Sequence, residues 1–387
     1  MNMDFSNLIQ PKMIQNIKVN PDIFDEYSEV NRLIIIGNGF DLAHGLKTSF
    51  KDFIKDYLVQ ILNNIKNNLS HKDELISLQS IVIYSDLNRS FSSLDDIKIL
   101  ELFEDILKRD QIIIHKNSEL LERILKSIKD KSWVDIELDF FHILKEASMK
   151  SNEKRIIKIN EDLNSLKIIL KNYLLEQVKN TSVKTSSNLL KQFIQKISKE
   201  ETSPNTLKKN LYPKSICFLN FNYTSLPLEY IKQIKNIPTN QIPIHGELKG
   251  DDMSTQGLVF GYGDELDDDY LKFENMNNDS LFENIKSFKY LHFNHYRDLL
   301  EFINSKPFQV HIYGHSCGLS DRTLLNTVFE NENCISIKLF YHKWNAGDDF
   351  EKKTYAISRH FKSKSDLRAK VVNRTKCEAM IQPKTEP

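Results

Sequence analysis

The hydrophobic residues toward the two ends of the chain occur in short runs rich in β-branched side chains. The runs cover residues 32–36, 215–221, 241–244, 257–260, 309–313 and 335–341, and most are followed by glycine, asparagine or histidine. Short apolar runs with helical segments between several of them are typical of a mostly parallel sheet covered on both faces. The pattern therefore predicts an α/β fold with a Rossmann-like sheet, in which ligands bind beyond the carboxyl ends of the strands.

The middle of the chain has a different pattern. No glycine occurs from Leu46 to His245, and no proline occurs between Pro21 and Pro204. Apolar residues there recur at the three- and four-residue spacing of amphipathic helices. We therefore expect a large all-helical insertion after the first strand, broken by polar stretches near 67–73, 86–95 and 150–153.

These patterns divide the chain into four parts. We assign residues 1–30 to an N-terminal extension, 31–47 and 204–361 to the α/β core, and 48–203 to the helical insertion. Residues 362–387 are rich in lysine and serine and end in Pro-Lys-Thr-Glu-Pro, so we expect them to form a flexible tail.

Composition narrows the classes of function. Lys and Arg equal Asp and Glu at 53 each, so the whole chain lacks the positive field that nonspecific nucleic-acid binding requires. The four cysteines form no CxxC pair, and no apolar run approaches the roughly 20 residues of a membrane helix. We expect a cytoplasmic protein with free thiols, no structural zinc and no membrane segment.

The first candidate for chemistry is the turn after the first apolar run, Gly37-Asn38-Gly39-Phe40-Asp41. Two glycines let the backbone approach a ligand closely, and unpaired N–H groups at a helix start attract phosphate. The third glycine of GxGxxG is missing, so the turn is not the fingerprint of a hydride-transferring dinucleotide site. The structural alternative is a tight turn in which Asp41 caps the helix.

Two further candidates end later strands. Asn222 follows the run 215–221 and could orient a water or a sugar hydroxyl, and Thr224 could cap the next segment. His245 can exchange a proton near neutral pH, and Gly246 leaves room beside it. Turn formation and simple packing are the structural alternatives for these residues.

A fourth loop, residues 314–318, reads Gly-His-Ser-Cys-Gly and follows the run 309–313. It matches the G-x-S-x-G nucleophile elbow, but a serine hydrolase would also need an acid and a later histidine, for which His342 and His360 are candidates. The structural alternative is a glycine turn packed closely against a neighbour.

Within the insertion, Glu137 is the side chain that could reach the rim of the sheet, and the alternative for its segment is a Trp133 anchor in the helical core.

Metal ligation has less support. His292 and His295 have i, i+3 spacing and residues 264–269 are mostly acidic, but neither group supplies a complete ligand set. A surface helix and a solvated loop account for both, and we predict no metal site.

The candidate motifs together resemble the AbiH family of bacterial abortive-infection proteins, which defend against phage. The motifs that carry this resemblance, over about residues 30 to 345, are Gly37-Asn38-Gly39-Phe40-Asp41, the 133–137 segment, Asn222-Tyr223-Thr224, His245-Gly246 and Gly314-His315-Ser316 with Asp321. The run of residues 37–46 is its most specific part. The same motifs are more remotely similar to sirtuin-like domains that consume NAD in defence.

The remote resemblance implies a role for each motif. Gly37 and Gly39 would lie near a pyrophosphate, Asn222 would contact the ribose or the attacking water, and His245 would be the general base. The other residues that it assigns to nucleotide binding are Asn38, Asp41, Thr224, Gly314, His315, Ser316 and Asp321.

This chain departs from the sirtuin-like pattern at several positions. Asn38 lies between the two glycines, where a small residue is usual. Asp41 lies where a serine is expected soon after the glycines, and Thr224 lies where such domains often have Asp. The zinc-binding cysteines of deacylases are absent from the sequence, so the resemblance does not extend to protein deacylation.

The resulting hypothesis is a phage-defence enzyme that hydrolyses NAD, its substrate, at the nicotinamide ribosyl bond and needs no cofactor. One alternative is a metal-dependent nuclease or nucleotide hydrolase that uses Asp41, Glu137, Asp264 and Asp321. Another is a non-catalytic nucleotide sensor whose insertion binds a phage or host protein. Long helical insertions often carry interfaces, so we also expect a homo-oligomer.

Overall fold

The structure is a computed structural model that describes residues 27–87, 90–91, 94–131, 135–204, 206–248 and 257–385. Its strands are β1 (Asn31–Ile36), β2 (Ser70–Lys72), β3 (Ile76–Ser80), β4 (Ile112–Asn117), β5 (Ile216–Asn220), β6 (Thr239–Pro243), β7 (Phe308–Tyr313), β8 (Cys334–Tyr341), β9 (Lys343–Trp344), β10 (Gly347–Asp348) and β11 (Glu378–Ala379). Its α-helices are α1 (Asn38–Ala43), α2 (Phe50–Asn68), α3 (Asp96–Leu107), α4 (Glu119–Lys131), α5 (Ile136–Met149), α6 (Glu153–Asn180), α7 (Ser187–Ile194), α8 (Leu226–Ile231), α9 (Asp268–Asn275), α10 (Lys286–Tyr290), α11 (His295–Ser305), α12 (Arg322–Phe329), α13 (Phe350–Ser358) and α14 (Lys364–Lys370).

The centre of the fold is a six-stranded sheet with the order β6-β5-β1-β7-β8-β11, and every pairing in it is parallel. All residues of β1, β5 and β7 are buried, which is why these strands read as continuous apolar runs. Counted along the chain, the strands have the order 3-2-1-4-5-6 of dinucleotide-binding folds. The predicted Rossmann-like α/β sheet is therefore confirmed.

The insertion between β1 and β5 is not all-helical, and the sequence prediction was wrong on this point. Besides α2 to α6 it contains an antiparallel sheet of β2, β3 and β4. Ile76, Leu78 and Ser80 alternate with more exposed residues in β3, so one face of this small sheet packs into the apolar core of the insertion. The isoleucines at the start of β4 favour a strand because their side chains are β-branched.

The core resumes earlier than residue 204. Helix α7 packs on the central sheet, where the ring of Phe193 lies 5.1 Å from that of Phe218 and 5.0 Å from that of Tyr313. Arg32 at the start of β1 donates to the carbonyls of Phe193 and Gln195 at 2.8 and 2.6 Å. These contacts attach α7 to the core rather than to the insertion.

The C-terminal segment differs from the flexible tail that the sequence predicts. Residues 364–370 form α14, and β11 pairs in parallel with β8 as the last strand of the sheet. Cys377 and Met380 on either side of β11 are buried. The strand is only two residues long, so its apolar signal is too short to be recognised in the sequence.

The run 257–260 also differs from its predicted strand conformation. It is an irregular buried segment, in which Val259 N donates to His245 O at 2.9 Å and Phe260 packs into the apolar core of the insertion.

Among the described residues, no helix is both long enough and apolar enough to cross a membrane.

Candidate functional site

A cavity of about 150 Å³ lies at the carboxyl ends of β1, β5, β6 and β7, beneath helices of the insertion. The core contributes its polar wall, and α5 and α6 close it from the other side. The lining residues are Gly37, Asn38, Asp41, Thr48, Phe50, Glu137, Leu170, Leu174, Phe221, Asn222, Tyr223, Thr224, His245, His315 and Asp321. The cavity thus brings together most of the residues that the sequence singles out, although they span nearly 300 positions. We call it the acidic cavity, because three carboxyl side chains line it.

The sequence predicts that the glycines after β1 let the backbone approach a ligand, but the structure places protein backbone against them instead. A Cβ on Gly37 would lie 2.4 Å from the Cα of His315, and one on Gly39 would lie 2.8 Å from the Cα of Gly314. Gly37 N donates to Tyr313 O at 3.0 Å, and Gly39 N donates to Gly314 O at 2.9 Å. The loops after β1 and β7 therefore pack against each other, and these two N–H groups are not available to a phosphate.

A second, larger cavity of about 310 Å³ lies on the other side of this glycine contact. Gly39 and Gly314 line it, together with Leu42, Ala43, Phe340, His342, Asp349, Lys353, Met380, Gln382 and Lys384. Lys353 Nζ donates to His315 O at 2.8 Å and lies 3.5 Å from Asp349 Oδ2. We call it the lysine cavity. The two cavities lie on opposite sides of the contact between the β1 and β7 loops.

The turn after β5 is shaped by Asn220, which accepts a hydrogen bond from Asn222 N at 3.1 Å and donates to Thr224 O at 2.9 Å. Asn222 Nδ2 donates to Gly37 O at 3.1 Å, which fixes the amide against the β1 loop. Thr224 Oγ1 donates to Asp41 Oδ2 at 2.8 Å. Thr224 therefore supports Asp41 rather than capping α8.

Asp41 lies inside α1, which begins at Asn38, so it does not cap the helix as the structural alternative proposes. Its side chain is buried, and Oδ1 accepts no hydrogen bond from any described residue. Burial raises the pKa of Asp41 to about 7, against the opposing effects of Thr224 and Asn222. A buried carboxyl with one unpartnered oxygen on a cavity wall is a ready acceptor for a hydrogen-bond donor of a ligand.

Asp321 is the centre of a cluster of charged side chains on the opposite wall. Its Oδ1 lies 2.7 Å from Lys286 Nζ and 3.2 Å from His245 Nε2, and its Oδ2 lies 3.6 Å from His315 Nε2. Lys286 Nζ also donates to Glu137 Oε2 at 2.8 Å, and Gly261 N donates to Glu137 Oε1 at 3.0 Å. The cluster joins Glu137 of the insertion to four side chains of the core, Lys286, Asp321, His245 and His315.

Burial and charge set the protonation states of this cluster. Burial alone would raise the pKa of Asp321, but Lys286 and His245 hold it well below its ordinary value. Burial raises the pKa of Glu137 to about 7, because Asp321 adds to the burial effect and Lys286 opposes it only in part. Burial and the nearby ammonium of Lys286 lower the pKa of His245, so its imidazole is neutral at pH 7.

Several residues of the site were missed by sequence reasoning. Lys286 is completely buried between two carboxylates, and Tyr290 OH lies 3.3 Å from His245 Nε2. Tyr223, which the sequence analysis names only as part of a motif, lines the cavity and donates its OH to Val259 O at 3.0 Å. Lys286 and Tyr290 lie at the two ends of the short helix α10, and no motif marks them.

The nucleophile-elbow alternative is not supported by the geometry. Ser316 is exposed and does not line the acidic cavity, and Cys317 rather than Ser316 has the positive φ of 53°. His360 Nε2 is hydrogen-bonded to Cys317 O at 2.8 Å, so it is engaged by backbone. His342 lines the lysine cavity.

Three of the four carboxylates of the metal-dependent alternative, Glu137, Asp264 and Asp321, are paired with cations of the protein. Lys286 occupies the position between Glu137 and Asp321, and Arg322 Nη1 lies 3.2 Å from Asp264 Oδ2. Among the residues that the structure describes, no group of three His, Cys, Asp or Glu side chains is arranged to hold a metal ion. Trp133, the predicted anchor of the α5 segment, lies outside the described residues.

The fold defines an α/β protein of the Rossmann-like class, in which residues of the core and of the insertion together line a cavity at the carboxyl ends of the strands. The model of the family "Bacteriophage abortive infection AbiH" matches residues 33–343, and the chain belongs to this family. The protein therefore acts in abortive-infection defence against phage. No curated protein matches the chain.

Proposed function

We propose that this AbiH protein is an NAD glycohydrolase, whose acidic cavity receives the nicotinamide-ribose end of NAD. The observation that carries the proposal is the convergence of three carboxyl side chains on the cavity wall. Asp41, Glu137 and Asp321 line it, and no Lys or Arg occurs among its described lining residues, although Lys286 compensates Glu137 and Asp321 from behind the wall. Carboxyl oxygens accept hydrogen bonds, so this wall favours a donor-rich group over a phosphate.

Size supports the same assignment. A cavity of about 150 Å³ has room for one six-membered ring, since apolar cavities of this volume bind benzene. The nicotinamide ring of NAD carries a positive charge, and cleavage of its ribosyl bond passes through an oxocarbenium-like state that is also cationic. Carboxylates fixed near this charge lower the barrier electrostatically.

The phosphates would then lie outside the acidic cavity. The sequence resemblance places them at Gly37 and Gly39, but the N–H groups of both glycines are donated to protein carbonyls. Lys353 and Lys384 line the cavity across the glycine contact together with Asp349, so its wall carries more positive than negative side chains. Dinucleotides bind across the switch point of 3-2-1-4-5-6 sheets, which in this fold lies between β1 and β7.

In the proposed reaction the bond between ribose C1 and the nicotinamide nitrogen breaks, and the electron pair stays on nicotinamide. A water oxygen bonds to C1, and its proton passes to His245. A neutral His245 whose Nε2–H faces Asp321 has Nδ1 as its proton acceptor, a tautomer that follows from the carboxylate partner. Asn222 would orient the water or a ribose hydroxyl, and the products are nicotinamide and ADP-ribose.

A non-catalytic sensor is a second candidate that one observation favours. Glu137, Leu170 and Leu174 of the insertion line the cavity, so an occupied cavity would contact the insertion directly. Tight nucleotide binding without turnover would select this function over hydrolysis.

The test is the loss of NAD and the release of nicotinamide, measured with the purified protein and in phage-infected cells that express it. We expect Asn222→Ala and His245→Ala to reduce nicotinamide release at least ~100-fold, because each removes a positioned polar group from the reacting centre. His115→Ala changes an exposed histidine of β4 and is the matched control. EDTA should have no effect on release.

Cell arrest with NAD intact would overturn the hydrolase proposal. Metal-dependent cleavage of nucleic acid under the same conditions would replace it with the nuclease alternative.

A further inference from the structure

Lys286 is a buried cation that no sequence motif marks and that links two structural units. It begins α10 of the core, and its ammonium binds Asp321 after β7 at 2.7 Å and Glu137 of the inserted helix α5 at 2.8 Å. Its side chain is fully buried, whereas the two carboxylates line the acidic cavity. The position of Glu137 on the cavity wall therefore depends on Lys286.

Charge balance makes Lys286 indispensable to the cluster. One ammonium compensates two buried carboxylates, so without it Glu137 and Asp321 would both be left in a medium that disfavours their ionised forms. Asp321 is the hydrogen-bond partner of His245 at 3.2 Å, and it also faces His315 at 3.6 Å. A change in the ionisation of Asp321 would therefore alter the imidazole of His245 as well.

We propose that Lys286 is a positioning residue of the site, which fixes the His245 imidazole through Asp321 and docks Glu137 of the insertion on the cavity wall. The catalytic part of this inference rests on the proposed NAD hydrolysis, and the part that concerns His245 does not. The ligand site is then shared between core and insertion, and it is complete only while α5 is docked.

The titration of His245 depends on every charged group packed around the cluster. The ionisable side chains that interact with Lys286 or Asp321 include Glu137, Asp135, Tyr223, His245, Tyr290, His315, Cys317 and His360. Within this group of side chains, Lys286 carries the one positive charge that does not titrate near neutral pH. Its removal should therefore raise the pKa of His245, because the ammonium that disfavours the imidazolium is lost while Asp321 remains its partner.

The chain contains a matched control. Lys338 of β8 is also buried between two carboxylates, with Glu201 and Glu378 at 2.8 and 2.9 Å, and it does not line the acidic cavity. Lys286→Met and Lys338→Met therefore remove the same kind of ion pair inside and outside the site. A purely structural role for Lys286 predicts that both variants alter stability and that neither alters His245 specifically.

The experiment is an NMR titration of ¹³C-labelled histidine in the full chain, followed by pH profiles of nicotinamide release. We expect Lys286→Met to raise the His245 pKa by about 1 or more, and Lys338→Met to leave it unchanged. The kcat should fall at least ~100-fold in Lys286→Met, with its acidic limb displaced to higher pH, and KM should rise because Glu137 is no longer fixed on the cavity wall. Lys286→Arg should recover part of kcat, because it retains the charge.

If Lys286→Met does not fold, the double variant Lys286→Met with Glu137→Gln reduces the uncompensated negative charge and is titrated in its place. An unchanged His245 pKa, or an equal change in Lys338→Met, would overturn the inference whether or not NAD is hydrolysed. A wild-type protein without NAD turnover in which His245 still responds to Lys286 would contradict the proposed function and leave the positioning role intact.

Discussion

Two buried lysines of this protein are each held between two carboxylates, and the carboxylates of one of them line the acidic cavity. Lys286 joins Glu137 and Asp321 beneath the acidic cavity, whereas Lys338 joins Glu201 and Glu378 on the central sheet. For both lysines burial alone would lower the pKa, and the paired carboxylates reverse that effect. Burial and perturbed ionisation therefore do not separate a structural ion pair from a functional one.

What differs is the surroundings of the carboxylates. Glu201 also accepts from Gln309 Nε2 at 2.9 Å, and Glu378 is half-exposed, so solvent and amide groups satisfy this cluster. Near Lys286, two histidines face Asp321, and Asp41 across the same cavity has an oxygen without a partner. Polar groups that converge on enclosed space and lack a partner within the described residues are the better mark of a ligand site.

The largest effect on stability is expected from Lys286→Met. It leaves two buried carboxylates without their cation, which costs about 3 to 5 kcal/mol of the free energy of unfolding. Denaturant unfolding at pH 7 measures this loss. A loss below about 1 kcal/mol would show that the carboxylates have another partner or are both protonated.

Asp41→Asn should stabilise the protein at alkaline pH while it impairs ligand binding. The pKa of Asp41 is about 7 when folded and near 3.8 when unfolded, so the folded state binds the proton more tightly. Stability from this group is therefore highest below about pH 4 and falls as the pH rises to 7, at about 1.4 kcal/mol per pKa unit, or on the order of 4 kcal/mol in total.

The measurement is thermal unfolding of wild type and Asp41→Asn between pH 4 and pH 8. The variant should be the more stable protein at pH 8 and lose this advantage toward pH 4. If the stability of both proteins depended on pH in the same way, the pKa of Asp41 would not be raised in the folded state, which would contradict this prediction.

Lys338→Met should have a smaller effect than Lys286→Met, about 1 to 3 kcal/mol, because water can solvate the half-exposed Glu378. Nicotinamide release per folded molecule should be unchanged, since Lys338 does not line the acidic cavity. Loss of activity in a variant that remains folded would erase the distinction between the two clusters.

Ser316→Ala should have the smallest effect, within about 0.5 kcal/mol in stability. Ser316 is exposed and outside the acidic cavity, so the rate of nicotinamide release should match that of wild type. A large loss of rate would revive the nucleophile-elbow hypothesis.

Parts of this organisation were predictable because parallel strands impose it. The runs at β1, β5 and β7 are buried on both faces and hence continuously apolar, and their carboxyl ends meet at one edge. For this reason Asn222, His245 and Asp321 could be grouped from sequence alone. Glu137 lines the cavity, which the sequence offered only as one of two alternatives for its segment.

Other parts depend on contacts that sequence patterns do not encode. Lys286 lies 149 positions from Glu137, and its burial follows only from the docking of α5 on the core. The β2–β4 sheet was read as helix because the region lacks glycine and proline, although β-branched residues can form strands there. The close contact of Gly39 with Gly314 was foreseen only as an alternative to ligand binding.

The measurement that tests the central claim most directly is the binding of a non-hydrolysable carba analogue of NAD, compared with AMP, to wild type and Asp41→Asn. The claim places the nicotinamide-ribose end in the acidic cavity, where Asp41 Oδ1 lacks a partner among the described residues. Calorimetry should then show the analogue binding about 10- to 100-fold more weakly to Asp41→Asn, the effect of one hydrogen bond to a charged group. AMP, which lacks that end, should bind both proteins equally. Equal binding of the analogue to both proteins, or an equal loss for AMP, would contradict the claim.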